Sequence, residues 1–299
     1  MNQTKELQLL EKCPICESTN LENYLTSKDF TFSKEEFSVQ KCGDCGFRFT
    51  NPIPREDEIG RYYGADNYMS HATQNTKGLM PFVYKRVRNM NLNRKLRLVR
   101  KYSKGKSLLD IGAGNGFFLN ACRSEGYAVQ GIEPDERARD VAKKDFDLEL
   151  KTPESLPQLD SNAVDVITMW HVLEHVYHLK RDIKEYLRIL KDDGALILAL
   201  PNIDSYDSNY YGEYWDGLDL PLHLYHFTPK DVSNLFNQFG YEVVEMRPMK
   251  FDAYWVSMNS EKFKGGSLPK AFYVGLKSNL KADNGKYSSQ MYVIRKKGA

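Results

Sequence analysis

The stretch Leu109-Asp110-Ile111-Gly112-Ala113-Gly114-Asn115-Gly116 decides how this sequence is interpreted. It ends an apolar segment that is typical of a buried strand (107–111) and leads into a predicted helix (117–125). Glycines permit a tight turn with positive φ and let a ligand lie against the backbone. Because doubly wound sheets bind ligands at the carboxyl edge of their strands, the stretch predicts a binding site at residues 110–116.

The spacing of these glycines differs from the dinucleotide pattern GxGxxG, in which a pyrophosphate lies at the helix N-terminus. Here the spacing is GxGxG, and Asp110 precedes the first glycine. A carboxylate at this point repels a pyrophosphate and suits a ligand with a cationic end, such as the ammonium of a methionine moiety. The loop therefore favours a cationic ligand over a nicotinamide dinucleotide.

Strands and helices alternate along the chain after residue 107. The sequence predicts strands at 107–111, 128–133, 148–151, 163–168, 195–200, 241–246 and 290–295, and helices at 117–125, 135–144, 179–190 and 230–239. This alternation predicts a mostly parallel sheet that is covered by helices on both faces. We expect residues 249–289, which are polar and contain glycines, to form a long loop.

Polar residues follow three further predicted strands. Glu133-Pro134 ends the second strand, where the carboxylate can accept hydrogen bonds from both hydroxyls of a ribose. Glu154-Ser155 follows the third strand, where a loop could close over an adenine, and Trp170-His171 ends the fourth. All four strand ends are expected to meet at one edge of the sheet.

Together these motifs resemble the class I S-adenosylmethionine-dependent methyltransferases. The resemblance covers about residues 80–250 and is carried by DIGAGNG (110–116), GIEPD (131–135) and VDVITMWHVLEHV (164–176). It implies a Rossmann-like α/β fold with a seven-stranded, mostly parallel sheet, one antiparallel strand, and S-adenosylmethionine as methyl donor. It also implies a donor site formed by Asp110, Gly112, Ala113, Gly114, Gly116, Glu133, Pro134, Glu154, Ser155, Trp170 and His171.

Four of the five cysteines form two CxxC pairs, Cys13 with Cys16 and Cys42 with Cys45. In a reducing compartment this pattern predicts a zinc site rather than disulfides. Four thiolates close a tetrahedral site, so we expect a structural Zn²⁺ in a ribbon segment at residues 1–52. Acidic residues surround the cysteines, so a nucleic-acid partner is not expected.

The order of segments is similar to that of the sugar C-methyltransferases. A segment with four paired cysteines is followed by a Tyr-rich bridge (53–106) and then by a methyltransferase domain (107–299). Those enzymes carry a further C-terminal domain, which we do not expect here. The resemblance implies a small-molecule acceptor, namely a sugar or glycan-related metabolite. O- or N-methylation of a quinone, polyketide or lipid precursor and methylation of RNA or protein are the alternatives.

Ten basic residues and no acid lie between Lys85 and Lys106, on a predicted helix at 82–104. Long basic side chains on a solvated helix face are one explanation. A site for a phosphate-bearing acceptor is the other. In the bridge before this helix, Tyr63 and Tyr68 are expected to close the pocket of the donor.

Residues 203–228 are dense in Tyr, Trp and His, and we expect them to form a lid over the donor. His223 matches the histidine of a Glu-His pair in the sugar C-methyltransferases, although Leu222 replaces the glutamate. A neutral imidazole can accept a proton near neutral pH, so His223 and His226 are candidate bases. Tyr211, from the aromatic run expected above the donor methyl, is the third catalytic candidate. Ordinary packing within a long loop is the alternative for all three.

The segment His171-Val-Leu-Glu174-His175 also matches HxxEH, the inverted zinc-protease pattern. A protease site needs a distant carboxylate ligand and an open cleft, whereas this segment directly follows a buried strand. We therefore expect Glu174 and His175 to orient the loop or to cap the next helix.

The composition excludes several classes of protein. Lys and Arg number 42 against 40 Asp and Glu, so no field of the whole chain attracts it to DNA or a membrane. No apolar stretch approaches the roughly 20 residues of a membrane span, and the N-terminus lacks the apolar core of a signal peptide. We expect a soluble, cytoplasmic protein.

Overall fold

The computed structural model describes residues 7–63 and 79–299. In chain order its elements are β1 (Leu7–Gln8), β2 (Leu21–Lys28), β3 (Glu36–Cys42), β4 (Arg48–Thr50), β5 (Ile53–Pro54), α1 (Leu79–Tyr102), β6 (Ser107–Ile111), α2 (Phe117–Ser124), β7 (Ala128–Ile132), α3 (Glu136–Phe146), β8 (Val164–Trp170), α4 (Leu179–Ile189), β9 (Leu190–Pro201), α5 (Tyr206–Tyr211), β10 (Tyr225–His226), α6 (Pro229–Asn237), β11 (Tyr241–Pro248), α7 (Asp252–Lys264), α8 (Leu268–Leu280) and β12 (Ser289–Lys296). None of the described helices has both the length and the apolar character that crossing a bilayer requires.

The central sheet has the strand order β11-β12-β9-β8-β6-β7. Neighbouring strands from β9 to β7 run parallel, whereas β12 is antiparallel to both β9 and β11. The middle strands are almost wholly buried, as expected for strands that are covered on both faces. The predicted α/β architecture with one antiparallel strand is confirmed.

The expected count of seven strands is wrong, because the described residues contribute six strands to this sheet. Within the predicted strand 148–151 only Lys151 pairs, in a single parallel bridge with Ile132. The amide of Leu148 instead donates to the carbonyl of Ala142 at the end of α3, at 3.2 Å. On the other side Pro153, which has no N–H, begins a 3₁₀ turn and ends the pairing.

Residues 249–289 form α7 and α8, so the long loop that we expected there is also wrong. A Cβ at Gly275 would lie 3.0 Å from the carbonyl oxygen of Ala253, which shows how closely the two helices approach. Their inner faces bury the small polar residues Ser257, Ser260 and Ser278 completely. Small polar residues on an inner face obscured the helical periodicity of this segment.

The N-terminal strands form a second sheet with the order β10-β4-β3-β2. Its edge strand β10 comes from the region that also forms the central sheet, and Tyr225 of β10 pairs with Phe49. The ring of Phe47 lies 5.4 Å from that of Phe227, so aromatic residues from both regions share one core. The cysteine-bearing segment is therefore attached to the domain by hydrogen bonds as well as by apolar packing.

Residues 203–228 form a packed layer against α7 and α8. The carboxylate of Asp207, which is fully buried, accepts hydrogen bonds from Trp215 Nε1 at 2.9 Å, Ser278 Oγ at 2.6 Å and Ser288 Oγ at 2.7 Å. These bonds join α5 to α8 and to the residue before β12. The expected movement of this segment as a lid stays a prediction.

Candidate active site

The glycine loop lies at the carboxyl end of β6. The amides of Gly112 and Ala113 donate to the carbonyl of Ile132, at 2.8 and 3.0 Å, so the loop folds over the end of β7. Gly112 has φ +69°, and a Cβ there would lie 2.4 Å from Val172 Cγ2, so both the backbone conformation and the space require glycine. A Cβ at Gly114 would meet nothing within 4 Å, so this part of the loop faces open space in which a ligand can lie.

Asp110 is the buried acid of this edge, with a relative exposure of 1%. Its Oδ1 accepts a hydrogen bond from Thr168 Oγ1 at 2.5 Å, because the register of β6 and β8 pairs these two residues. Burial raises the pKa of Asp110 to about 7, although Thr168 and the charge of Lys95 act in the opposite direction. A carboxylate in these surroundings is stabilised by a cation that binds beside it.

Lys95 of α1 places a cation at the same edge. Its Nζ lies 4.2 Å from the ring centroid of Trp170, and burial lowers the pKa of Lys95 to about 8. The indole Nε1 of Trp170 is buried and has no hydrogen-bond partner among the described residues. We predicted aromatic and acidic surroundings for the cationic end of a ligand. In this structure the same surroundings attract the ammonium group of Lys95.

Glu133 connects the end of β7 to the glycine loop. Its Oε2 accepts from the amide of Gly114 at 2.7 Å and its Oε1 from the amide of Asp135 at 3.0 Å. The carbonyl of Pro134 accepts from Arg139 Nη1 at 2.7 Å. These bonds fix the acid at the point where the sequence predicts a ribose.

Glu154 and Ser155 lie in the 3₁₀ turn Pro153–Gln158, which follows Lys151. Lys151 accepts a hydrogen bond from the amide of Glu133 at 2.9 Å, so the turn begins beside that acid. The hydroxyl of Ser155 donates to the carbonyl of Thr152 at 2.7 Å. The position of the turn is compatible with the predicted adenine side of the donor site.

His171 lies between two carboxylates. Its Nδ1 is 3.4 Å from Glu174 Oε1 and its Nε2 is 3.5 Å from Asp252 Oδ2. Burial acts to lower the pKa of His171, but the two carboxylates outweigh it and raise the pKa to about 9. His171 is therefore an imidazolium at neutral pH, and its φ of +59° is a conformation that few non-glycine residues adopt.

Glu174 and His175 do not cap α4, whose N-cap His178 makes no side-chain cap hydrogen bond. They face His223 instead, and the His175 and His223 rings meet edge to face with 4.8 Å between centroids. Burial lowers the pKa of His175 to about 4 and also lowers the pKa of His223, so both rings are neutral near pH 7. Glu174, His175 and His223 are one of two groups of described residues that could hold a metal.

The other two catalytic candidates lie in different surroundings. His226 Nε2 is 3.1 Å from Thr50 Oγ1, and burial lowers the pKa of His226 to about 3. Tyr211 is 2% exposed, and its hydroxyl lies beside Ser257 and Glu261 of α7. Of the three candidates, His223 is the one that the fold brings to Glu174 and His175.

Tyr63 ends the described part of the bridge at this edge. Partial burial raises the pKa of its phenol, and the nearby charges of Asp219, Glu133 and Glu174 raise it further. These neighbours belong to both the predicted donor side and the histidine cluster, so Tyr63 lies where the two meet. Tyr68, its predicted companion, lies outside the described residues.

The second candidate metal group is the set of four cysteines that the sequence pointed to. Cys13 Sγ lies 3.6 Å from Cys45 Sγ, and Cys16 Sγ lies 3.5 Å from Cys42 Sγ. Thiolates at about 2.3 Å from one zinc ion lie roughly 3.8 Å apart, so the four sulfur atoms fit a tetrahedral site. The two CxxC turns match each other, because the amides of Glu17 and Gly46 each donate at 2.9 Å to the first cysteine of their pair.

The basic helix α1 uses several of its charges within the fold. Arg100 binds Glu125 through two hydrogen bonds of 2.7 and 2.8 Å, and Lys101 pairs with Glu245 at 2.5 Å. Arg88 stacks over the ring of Phe117, with 4.7 Å to the centroid. These contacts favour the structural explanation for part of the helix, and the phosphate-bearing acceptor stays a prediction.

Three residues at this edge were missed by the sequence analysis. Thr168 could have been found, because a polar residue in an apolar strand beside Asp110 points to a hydrogen bond. Lys95 was treated as part of a charged helix face. Asp252 lay in the segment that we expected to be a loop, and no sequence signal connected it to His171.

A family model described as a methyltransferase domain matches residues 84–246, which is more than half of the chain. The chain belongs to this family. A crystal structure of an S-adenosylmethionine-dependent methyltransferase from Archaeoglobus fulgidus has a TM-score of 0.50 and 17% identity, over 70% of this chain and 94% of that one. Haemonchus contortus phosphoethanolamine N-methyltransferase 2, in complex with S-adenosylmethionine, has a TM-score of 0.50 and 15% identity, over 92% and 68%. These likenesses show the fold of the methyltransferase domain.

Curated relatives of the methyltransferase domain include two ubiquinone biosynthesis O-methyltransferases. The protein from Coxiella burnetii (strain Dugway 5J108-111) is 32% identical over 106 residues, which is 33% of this chain and 45% of that protein. The protein from Thiobacillus denitrificans is 26% identical over 161 residues, which is 50% and 69%. The chain thus spans less than half the length of the first relative.

Proposed function

We propose that this protein transfers a methyl group from S-adenosylmethionine to a small-molecule acceptor, a sugar or glycan-related metabolite. The observation that carries the proposal is the carboxyl edge of β6, β7 and β8. There a buried Asp110, a glycine loop held by Glu133, and neutral histidines come together. Ligands of doubly wound sheets bind at this edge.

The residues at the edge fit the donor in charge and shape. When bound, S-adenosylmethionine supplies an electrophilic methyl group on its sulfonium. Asp110 and Trp170 hold the cationic end, Glu133 accepts from the ribose hydroxyls, and Glu154-Ser155 closes the adenine side. The ammonium of Lys95, which now lies over Trp170, moves aside when another cation takes its place.

On the acceptor side, His223 is the base that takes up the proton which the acceptor loses. Its neutral ring keeps a lone pair on Nε2, because Nδ1 lies 3.0 Å from the carbonyl of Gly217. The imidazolium of His171 cannot serve as a base, and it orients Glu174 and Asp252 instead. Tyr211 and His226 lie in other surroundings, so we assign them no proton transfer, and much of the rate comes from alignment.

For the ribbon we propose a structural Zn²⁺ held by Cys13, Cys16, Cys42 and Cys45. The distances between their sulfur atoms support a closed tetrahedral site.

Calorimetry with S-adenosylmethionine tests the donor. We expect Asp110→Asn to weaken binding by about 100-fold, since a charge-assisted contact to the cationic end is lost. Asp147→Asn is the matched control, because this exposed acid directly after α3 pairs with Lys143. Absence of binding to the unmodified protein, or equal binding by Asp110→Asn, contradicts the proposal.

The names of the relatives favour a second candidate, O-methylation of a quinone precursor. Incorporation of a labelled methyl group into nucleotide-linked sugars, catechol-type quinone precursors and RNA separates the acceptor classes. With the active class, His223→Ala should lower turnover by about 100-fold and leave the donor affinity unchanged. His178→Ala, a change at an exposed histidine, is the control.

A further inference from the structure

Glu174, His175 and His223 form a compact group beside the proposed donor site. One ligand atom of each lies within 4.8 Å of the other two. Glu174 and His175 belong to the turn after β8, and His223 comes from the segment before β10. A backbone hydrogen bond of 2.8 Å from the amide of Leu224 to the carbonyl of Glu174 holds the two segments together.

Both histidines are oriented by backbone carbonyls. His175 Nδ1 lies 3.0 Å from the carbonyl oxygen of Leu222, and His223 Nδ1 lies 3.0 Å from that of Gly217. A carbonyl oxygen only accepts, so the proton of each ring is on Nδ1 and the lone pair is on Nε2. Metal-binding histidines are held in this way, with the second nitrogen donating to an outer acceptor.

Glu174 is 1% exposed, and neither of its carboxylate oxygens has a hydrogen-bond partner in the described part of the chain. Its nearest cation is His171, whose Nδ1 is 3.4 Å away and whose ring also faces Asp252. A second acid, Asp219, lies 3.8 Å from His223 Nε2. Glu174 shares the imidazolium of His171 with Asp252, so a further cation held between Glu174 and the neutral rings of His175 and His223 would stabilise this buried carboxylate.

We propose that Glu174, His175 and His223 bind a divalent first-row metal ion, and that an oxygen of the acceptor completes its coordination. Two imidazoles and one carboxylate occupy one face of such an ion and leave positions for ligands on the other. Ligand atoms on one metal lie roughly 3 to 4 Å apart, so a movement of about 1 Å by the side chains closes the site.

This inference rests on the proposed function, because it requires an acceptor that carries an oxygen near the methyl group of the donor. A metal ion held by these three residues would lower the pKa of an acceptor hydroxyl bound to it, so that the proton could pass to the solvent near neutral pH, and would hold the oxygen for methyl transfer. In the metal-free protein Nε2 of His223 accepts that proton directly. With the metal bound, the same lone pair is a ligand.

The test is a titration with Mn²⁺ of the full-length protein loaded with a single equivalent of zinc, which the four cysteines take up in preference to imidazole and carboxylate ligands. Loss of the free-ion electron paramagnetic resonance signal measures Mn²⁺ binding, and calorimetry measures Co²⁺ binding in parallel. Because zinc then occupies the cysteine site, any Mn²⁺ or Co²⁺ that binds must bind to other residues. We expect one equivalent of either ion to bind saturably, and Glu174→Gln and His223→Ala to weaken that binding at least 10-fold. His178→Ala, at an exposed histidine, should bind as the unmodified protein does.

Circular dichroism and calorimetry with S-adenosylmethionine on the same variants show whether they fold. The inference is overturned when neither ion binds saturably, or when Glu174→Gln binds as tightly as the unmodified protein. Donor binding without metal binding removes only this inference. Metal binding without donor binding removes the proposed function and leaves the metal site standing.

Discussion

The donor edge and the acceptor edge of the domain are built from the chain in different ways. On the donor edge, Asp110, the glycine loop and Glu133 belong to one β6–α2–β7 unit, and their hydrogen bonds join its ends. On the acceptor edge, Tyr63, the Glu174–His175 turn, His223 and Asp252 come from separate parts of the chain. The first edge depends on local structure, whereas the second depends on the packing of the whole molecule.

This difference has consequences for mutation. A change in the ribbon or in α5 and α8 should damage the acceptor edge and stability while leaving the donor site able to bind. A change within the β6–α2–β7 unit should do the reverse. The predictions below test this separation, starting with the largest expected effect.

Cys42→Ser should remove the ribbon metal and lower the free energy of unfolding by more than about 4 kcal/mol. The reason is that Cys42 is fully buried and shares a core with the main domain. Metal analysis and urea unfolding measure the two effects. Cys122→Ala, a buried cysteine in α2 outside the cluster, should keep the metal and cost only about 1 kcal/mol. Retention of a full equivalent of zinc by Cys42→Ser would contradict the assignment.

Asp207→Ala should lower the free energy of unfolding by about 3 kcal/mol, since it leaves Trp215, Ser278 and Ser288 without their common acceptor. Donor affinity should stay within about threefold, because these residues lie outside the β6–α2–β7 unit. Urea unfolding and calorimetry check both statements. Asp192→Ala, which removes an exposed pair with Lys296, should change stability by less than about 0.5 kcal/mol. A large loss of donor affinity in folded Asp207→Ala would break the proposed separation.

Glu133→Gln should weaken binding of S-adenosylmethionine by about 10- to 100-fold. The amide group places a donor against the amide of Gly114 or of Asp135, so the loop shifts and a charged acceptor for the ribose is lost. Calorimetry measures the affinity. Glu136→Gln, in the exposed first turn of α3, is the control and should bind normally. The same loss in both variants would show that the effect is not specific to the edge.

The pH dependence of stability should show that His226 is buried as a neutral imidazole. Its pKa falls to about 3 in the folded protein because of burial, against an ordinary value of 6.5, so the unfolded chain binds a proton that the folded protein does not. Stability is therefore fully present above pH 6.5 and falls toward pH 3, by up to about 1.4 kcal/mol per pH unit from this residue. Urea unfolding between about pH 7.5 and 5 should show a shallower slope for His226→Gln than for the unmodified protein. An unchanged slope, as expected of His178→Gln, would mean that His226 is not buried in its neutral form.

Much of the donor edge could be predicted because its residues are close in sequence. The GxGxG loop, Asp110 and Glu133 were placed correctly at adjacent strand ends, since parallel strands joined by one helix have few possible arrangements. The four cysteines were also predicted to meet, because a tetrahedral zinc site needs four ligands and each CxxC turn supplies two.

The errors have a common physical cause. Residues 148–151 were expected to be a strand, but the end of α3 and Pro153 compete for their backbone. Residues 249–289 were expected to be a loop, because serines that are buried by partners elsewhere in the chain look polar in sequence. A local sequence pattern does not include the residues from distant parts of the chain that decide whether such a segment becomes a strand, a helix or a loop.

The sequence alone determined the parallel core of the sheet, the acid and glycines of the donor edge, and the four cysteines of the ribbon, because these follow from neighbouring residues and regular spacing. Only the tertiary structure decided that His171 is flanked by two acids, that His226 contacts Thr50 of the ribbon, and that Glu174, His175 and His223 meet. Those contacts join segments that are distant in the chain. Their distances and their pKa values are set by burial, which exists only once the segments have packed together.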